Sequence, residues 1–168
     1  MKRRSVVTLL ALGPLASLLL GGCGFKLRGA QSFAFQTLAI NPNPGGPLAL
    51  ELRRSFAPAV RVLAPDQPLN QAQVVLDILQ EQREKIVAGL SSSGQVREFQ
   101  LRIRVKFRVR NAAGDELTPE TELMQQRDMS FSETAVLAKE AEEVLLYRDM
   151  QSDLVQQLMR RLEAIKYL

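Results

Sequence analysis

The chain has no histidine, no tryptophan and only one cysteine in 168 residues. Each absence removes a class of chemistry. Without His there is no imidazole base and no ordinary nitrogen ligand for zinc. With one Cys there is no disulfide and no thiolate pair to complete a metal set. The fold must therefore stand on packing and hydrogen bonds alone. Carboxylate pairs of the kind used in glycoside hydrolysis remain as a route to catalysis. Yet Asp77, Glu81 and Glu84 are simply interspersed in a strand pattern, with no motif around them. The residues available predict a non-enzymatic protein without a cofactor.

What is present begins with an export signal. Lys2, Arg3 and Arg4 form a positive n-region, and Val6 to Leu20 is apolar and uncharged. That run of about 15 residues has the length of a signal h-region and falls short of the roughly 20 residues a spanning helix needs. Leu20-Gly21-Gly22-Cys23 then resembles the bacterial lipobox, placing the only cysteine at the position that becomes lipidated. Residues 1–22 read as a lipoprotein signal peptide. Cys23 reads as an N-palmitoyl and S-diacylglycerol cysteine, residues 23–32 as a tether and residues 33–168 as a single domain. Three acyl chains exceed the two signals that stable anchoring needs. Gly24, in place of the Asp that retains lipoproteins in the inner membrane, points to the outer membrane.

Subtracting the signal changes the charge argument. The full chain carries 22 Lys and Arg against 18 Asp and Glu, a net +4, and three of those cations are Lys2, Arg3 and Arg4. The remainder is nearly neutral, so the basic balance is no argument for nucleic acid as a partner.

Along the mature chain, Phe33 to Ile40 predicts a first strand, and Asn41 to Gly46 a loop. Pro47 suits the first position of a helix. Leu48, Leu52 and Phe56 recur at helical spacing, and Pro58 stops the pattern. Val60 to Leu63 predicts a brief second strand and Gln73 to Val87 a long third, followed by a turn over Gly89 to Gly94. In Phe99 to Arg110, six apolar residues alternate without a break with six polar or basic ones. At about 3.3 Å per residue this is a half-buried strand roughly 40 Å long. Asn111 to Asp115 predicts a hairpin turn, and Leu117 to Phe131 holds a last strand, with Pro119 suiting an edge. Ser130 or Ser132 is the expected cap of a final helix of about 30 residues, whose apolar positions run from Leu137 to Ile165. The expected fold class is α+β: two helices packed on one face of a mixed, mostly antiparallel sheet of about four long strands, the other face open.

Two features bear on binding. Arg102, Arg104, Lys106, Arg108 and Arg110 fall on one face of one strand, at spacings of about 6–7 Å. Such a row grips phosphates if free, or is a solvated sheet face if its neighbours neutralise it. A turn that pairs Arg110 with Glu116 sets Lys106 opposite Glu120 and Arg104 opposite Glu122. Lys139, in the charged run Lys139 to Glu143 near the start of the last helix, is misplaced for the helix dipole, which leaves room for a role.

Several short segments together resemble the lipopolysaccharide-assembly lipoprotein family LptE (RlpB). They are Cys23-Gly24-Phe25-Lys26-Leu27-Arg28, then Gly46-Pro47-Leu48, then Gly94-Gln95 leading to Glu98-Phe99-Gln100, and Leu137-Ala138-Lys139 before a Leu-rich helix. The resemblance implies two helices on a sheet of about four strands. It implies a plug seated in the β-barrel LptD, which assists that barrel's assembly, binds lipopolysaccharide and helps deliver it to the outer leaflet. The family's basic contact carries over as Lys139. Its arginine in the turn before the alternating strand does not, since Ser91-Ser92-Ser93 stands there, and Arg97 lies close by as the substitute. Arg102, Arg104 and Lys106 complete the candidate lipopolysaccharide contacts. The competing class is another outer-membrane lipoprotein that serves as a scaffold or cell-wall-binding module.

Overall fold

The computed structural model describes residues 32–42, 45–57, 59–64 and 66–166. The chain divides into two compact units, Met1–Ala30 and Gln31–Leu168, and all described residues lie in the second. The signal peptide, Cys23 and nearly all of the tether lie outside the described residues. The element order is β1 (Thr37–Asn41), α1 (Pro47–Phe56), β2 (Arg61–Val62), β3 (Val74–Leu90), β4 (Val96–Asn111), β5 (Glu116–Ser130) and α2 (Val136–Glu163).

The strands form one mixed sheet in the order β2-β1-β3-β4-β5. β1 runs parallel to both β2 and β3, while β3, β4 and β5 are antiparallel. The sheet thus has five strands where about four long ones were expected, and only β3, β4 and β5 are long. The expected first strand, from Phe33, is trimmed to Thr37–Asn41, and Phe33 and Phe35 pack as rings beside Phe56 instead.

β4 is the spine. Its odd-numbered residues Leu101, Ile103, Val105, Phe107 and Val109 are all buried beneath the helices, and its even-numbered residues form the open face. Both helices share that one core: Leu48, Leu52 and Phe56 from α1, and Met150, Leu154, Val155, Leu158 and Leu162 from α2. Each such side chain contributes about 1.5–3 kcal/mol by leaving water. A smaller cluster of Ala39, Leu63, Ala72 and Val75 covers part of the other face near β1.

An irregularity at Leu79 changes what β3 offers. Up to Ile78 it gives Val74, Leu76 and Ile78 to the core; beyond the bulge the row opposite Val105, Ile103 and Leu101 is Glu81, Arg83 and Lys85. These three serve the helices by polar contacts. α1 has Gly46 at its N-cap, with no side chain of its own chain segment capping it. The Glu81 carboxylate lies against that end of the helix, where the Leu48 N–H favours its charged form. A Cβ on Gly46 would stand 2.7 Å from Glu81 Oε2, so any other residue there would make the carboxylate shift. Burial pushes the Glu81 carboxyl up, against the opposing pull of Arg83 and the Leu48 N–H. Arg83 Nη2 donates to Gln151 Oε1 at 2.5 Å, and Lys85 Nζ meets Glu143 at 2.6 Å. From the far side, Arg127 of β5 pairs with Asp153 at 2.9 Å.

α2 differs from expectation in two ways. Neither Ser130 nor Ser132 caps it: a 3₁₀ turn, Glu133–Ala135, intervenes, Ala135 takes the N-cap position, and the Ser130 hydroxyl accepts from Lys139 instead. The apolar stripe also does not stay buried along its length. Leu137 is 82% exposed and Val144 67%, because no apolar surface lies under that side of the first turns.

Asp77 joins three strands on the open face. It is 2% exposed, and accepts from Asn41 Nδ2 of β1 at 2.9 Å and from Arg108 Nε and Arg110 Nε of β4 at 3.0 and 2.8 Å. Burial alone raises such a carboxyl. The hydrogen bonds from Arg110, Asn41 and Arg108, with the Arg110 charge, outweigh it and hold Asp77 below its ordinary 3.8. A depressed carboxylate stabilises the fold above its unfolded pKa, and the contribution is lost as pH falls through the folded one. Asp77→Asn is expected to cost about 2 kcal/mol at pH 7, less than a fully buried pair because Arg108 is half exposed. It should also flatten the acid limb of stability below about pH 4. Urea titrations of both proteins at pH 7 and pH 3 measure the two effects.

Candidate functional site

The basic row lies where the alternation put it, on the open face, but its neighbours are not those expected. Arg110 pairs with Glu116, as read from the turn. Two irregularities then intervene between Arg110 and Phe107, and the register slips by two residues. Lys106 stands opposite Glu122, not Glu120, and Arg104 stands opposite Met124, not Glu122. The slip falls on Leu117–Thr121, the segment that holds Pro119, whose lack of an N–H breaks a regular ladder.

With that register part of the row is paired. Arg108 and Arg110 share Asp77. Arg102 donates through Nε and Nη2 to Gln100 Oε1, and Gln100 in turn holds Asp128 at 2.9 Å. On β3, Gln80, Gln82 and Glu84 form a chain of side-chain hydrogen bonds at 2.9 and 3.0 Å. Arg104 lies 3.9 Å from Glu84, and its buried Nε has no hydrogen-bond acceptor. Arg102, Arg104 and Lys106 therefore sit in a cross-strand lattice of opposite charges.

Lys139 and Arg97 lie elsewhere, both at the end of the slab formed by the Ser91–Gln95 turn and the start of α2. The Phe131 N–H donates to the Arg97 carbonyl at 2.8 Å, and Lys139 Nζ donates to the adjacent Ser130 hydroxyl at 3.0 Å. Lys139 also pairs with Glu142 at 2.8 Å. Beside the turn Leu90 is 62% exposed, and Val136 opens α2 with its side chain partly in water. The opposite end is where the described chain begins: the Ser32 N–H donates to Glu163 at the last turn of α2. The 28-residue helix separates the two ends by about 40 Å at 1.5 Å per residue.

The exposed apolar residues of this distal half carry no signal in the sequence, since Leu137 and Val144 keep the same spacing as the buried leucines after them. Among the described residues no group of three metal-ligating side chains occurs, and no helix is long and apolar enough to cross a membrane.

Solved structures share this architecture and define a class of small α+β lipoproteins. Lipoprotein B of Nitrosomonas europaea superposes with a TM-score of 0.72 at 35% identity, covering 84% of this chain and 91% of that one. The rare lipoprotein B of Shewanella oneidensis has the same fold, with a TM-score of 0.63 at 21% identity over 75% of this chain and 92% of that one. The family model LptE, lipopolysaccharide-assembly, matches residues 35–162. The LPS-assembly lipoprotein LptE of Yersinia enterocolitica is 29% identical over 162 residues, 95% of this chain and 76% of that protein. The chain belongs to the LptE family, and its role is in lipopolysaccharide assembly.

The observed register makes a measurable claim. A double-mutant cycle of Lys106→Ala with Glu122→Ala should show a favourable coupling of about 0.2–1 kcal/mol. The same cycle for Arg104 with Glu122 should show a smaller one. Equal couplings in urea unfolding would reject the two-residue slip.

Proposed function

We propose that this protein is an outer-membrane lipoprotein, anchored through Cys23, that seats as a plug in the β-barrel LptD. It aids that barrel's assembly and contacts lipopolysaccharide on its way to the outer leaflet. Family membership supplies the role in lipopolysaccharide assembly. The observation that carries the ligand contact is the placement of Lys139 and Arg97 at the same end of the slab, the end remote from Ser32.

An anchor ahead of Ser32 holds one end of the slab near the membrane, and the cations stand about 40 Å away along α2. Lipid A is a phosphorylated glycolipid, and ammonium and guanidinium groups are phosphate donors. Lys139, itself partly buried, donates to a hydroxyl and to Glu142, whose carboxylate stands in water, so a phosphate can compete for the ammonium. Exposed Leu90 and Val136 beside these cations suit an amphiphile. The broad faces of the slab suit a plug better than an enzyme. Arg102, Arg104 and Lys106 take second place as contacts, because opposite charges already surround them.

Affinity purification of the full chain from detergent-solubilised outer membrane should bring down one large β-barrel. If none co-purifies, the plug reading fails and a scaffold or cell-wall-binding lipoprotein replaces it. Lys139→Glu with Arg97→Glu should weaken lipopolysaccharide binding by the full chain at least about tenfold, the floor set by losing even one of two charge-assisted contacts. Lys106→Glu should change it by less than about threefold. Unchanged binding in the double variant rejects the distal site.

A further inference from the structure

The two ends of the slab differ in their charge. Both helices finish at the end where the described chain begins. The ring of Phe56, the last residue of α1, lies 5.2 Å from that of Phe33, and Glu163, the last of α2, accepts from the Ser32 N–H. β2 starts there too, with Arg61 level with Thr37 at the start of β1. These elements set Arg54, Arg61, Arg160, Arg161 and Lys166 around one end, all exposed. None of them pairs with a carboxylate among the described residues, and Arg161 meets the Phe107 ring at 6.0 Å. The acids at this end are Asp115, Glu116 and Glu163, with Asp66 in the loop after β2.

The far end is the reverse. There Glu98, Glu133, Glu140, Glu142 and Glu143 stand against Lys85, Arg97 and Lys139. A helix dipole favours cations in a last turn and acids in a first one. It gives no reason for Arg61 on a strand or for Lys166 beyond the helix. A chain near neutral in sum thus carries a charge moment along α2, positive at the end where Ser32 enters.

Ser32 is nine residues beyond Cys23, at most about 30 Å of chain. With Cys23 anchored as proposed above, the basic end reaches the leaflet that holds the acyl chains. The acidic start of α2 lies about 40 Å farther along the helix. We propose that the basic end docks on the anionic phospholipid headgroups of that leaflet, so that the slab stands on end and holds Lys139 and Arg97 away from it. Guanidinium and ammonium groups meet phosphodiesters directly. Each Lys or Arg near an anionic surface favours contact about fivefold. Arg161 and Lys166 also flank a cavity of about 450 Å³, with Glu116 and Thr118, that admits a headgroup. The short tether favours the membrane over an acidic protein, because it keeps this end beside the leaflet whatever partner is present.

The inference rests on the Cys23 anchor, and the full lipidated chain reconstituted into vesicles tests the two separately. Ala113→Cys lies in the turn after β4, level with the start of β3 at the basic end, and Ser92→Cys lies in the turn at the far end. With Cys23 acylated, each introduces the only free thiol, which carries a donor dye; headgroup-labelled lipid is the acceptor. From phosphatidylcholine vesicles to equal parts phosphatidylcholine and phosphatidylglycerol, energy transfer at Ala113→Cys should rise at least about twofold while that at Ser92→Cys falls. Raising salt from about 0.1 to about 1 M, which shortens the screening length from about 10 to about 3 Å, should reverse the change. Arg54→Gln, Arg61→Gln, Arg160→Gln and Lys166→Gln together should abolish the response and keep the unfolding midpoint. Arg54→Lys, Arg61→Lys and Arg160→Lys together should retain it. Equal transfer on both vesicle types, or a rise at Ser92→Cys, overturns the docking and leaves the anchor standing. A chain that leaves phosphatidylcholine vesicles altogether overturns the anchor and the docking with it.

Discussion

The bulge at Leu79 is the constraint on which the rest of the architecture depends. A β-strand alternates faces strictly, so one extra residue exchanges the two sides for the run from Gln80 to Val87, where the next irregularity falls. Before it, β3 is a core strand. After it, the side beneath the helices is Glu81, Arg83 and Lys85. Glu81 then lies against the start of α1, Arg83 reaches Gln151, and Lys85 reaches Glu143. The first half of α2 is consequently held by polar pegs, and its apolar side stays uncovered.

The charge distribution follows from the same register logic. A row of five cations on one face of β4 looks like a phosphate grip when β4 is considered alone. Its neighbours supply Asp77, Glu84, Glu116, Glu122 and Asp128 to the same face, so the row is part of a near-neutral lattice. That agrees with a mature chain whose cations and anions almost balance. The cations that remain candidates for phosphate lie apart from the row, at the two ends of the slab.

Legibility in the sequence tracked how local the determining physics is. β4 was legible because twelve residues alternate without a break, and the hairpin after it because Asn111 to Asp115 has turn chemistry. The four-residue spacing of Leu48, Leu52 and Phe56 marked α1 and its buried face. The parallel placement of β1 between β2 and β3 was not legible, since it depends on partners far along the chain. Pro119 was visible, yet the two-residue slip around it was not, because the residue type does not state how many residues a bulge absorbs. Ser130 and Ser132 were reasonable caps by composition, but the 3₁₀ turn carried the chain past both. Lys139 was legible through its segment, whereas its placement at the same end as Arg97 needed the sheet end to be built.

The parallel pairing of β1 has a mechanical meaning. The chain enters β1 through Ser32 to Gln36, and β1 lies inside the sheet between β2 and β3. A pull on that chain, with the body held elsewhere, loads the hydrogen bonds between β1 and β3 along the strand direction, so they bear the force together in shear. A strand drawn sideways from an edge instead unzips one bond at a time. An attachment at this point can transmit tension to the whole slab without peeling it apart.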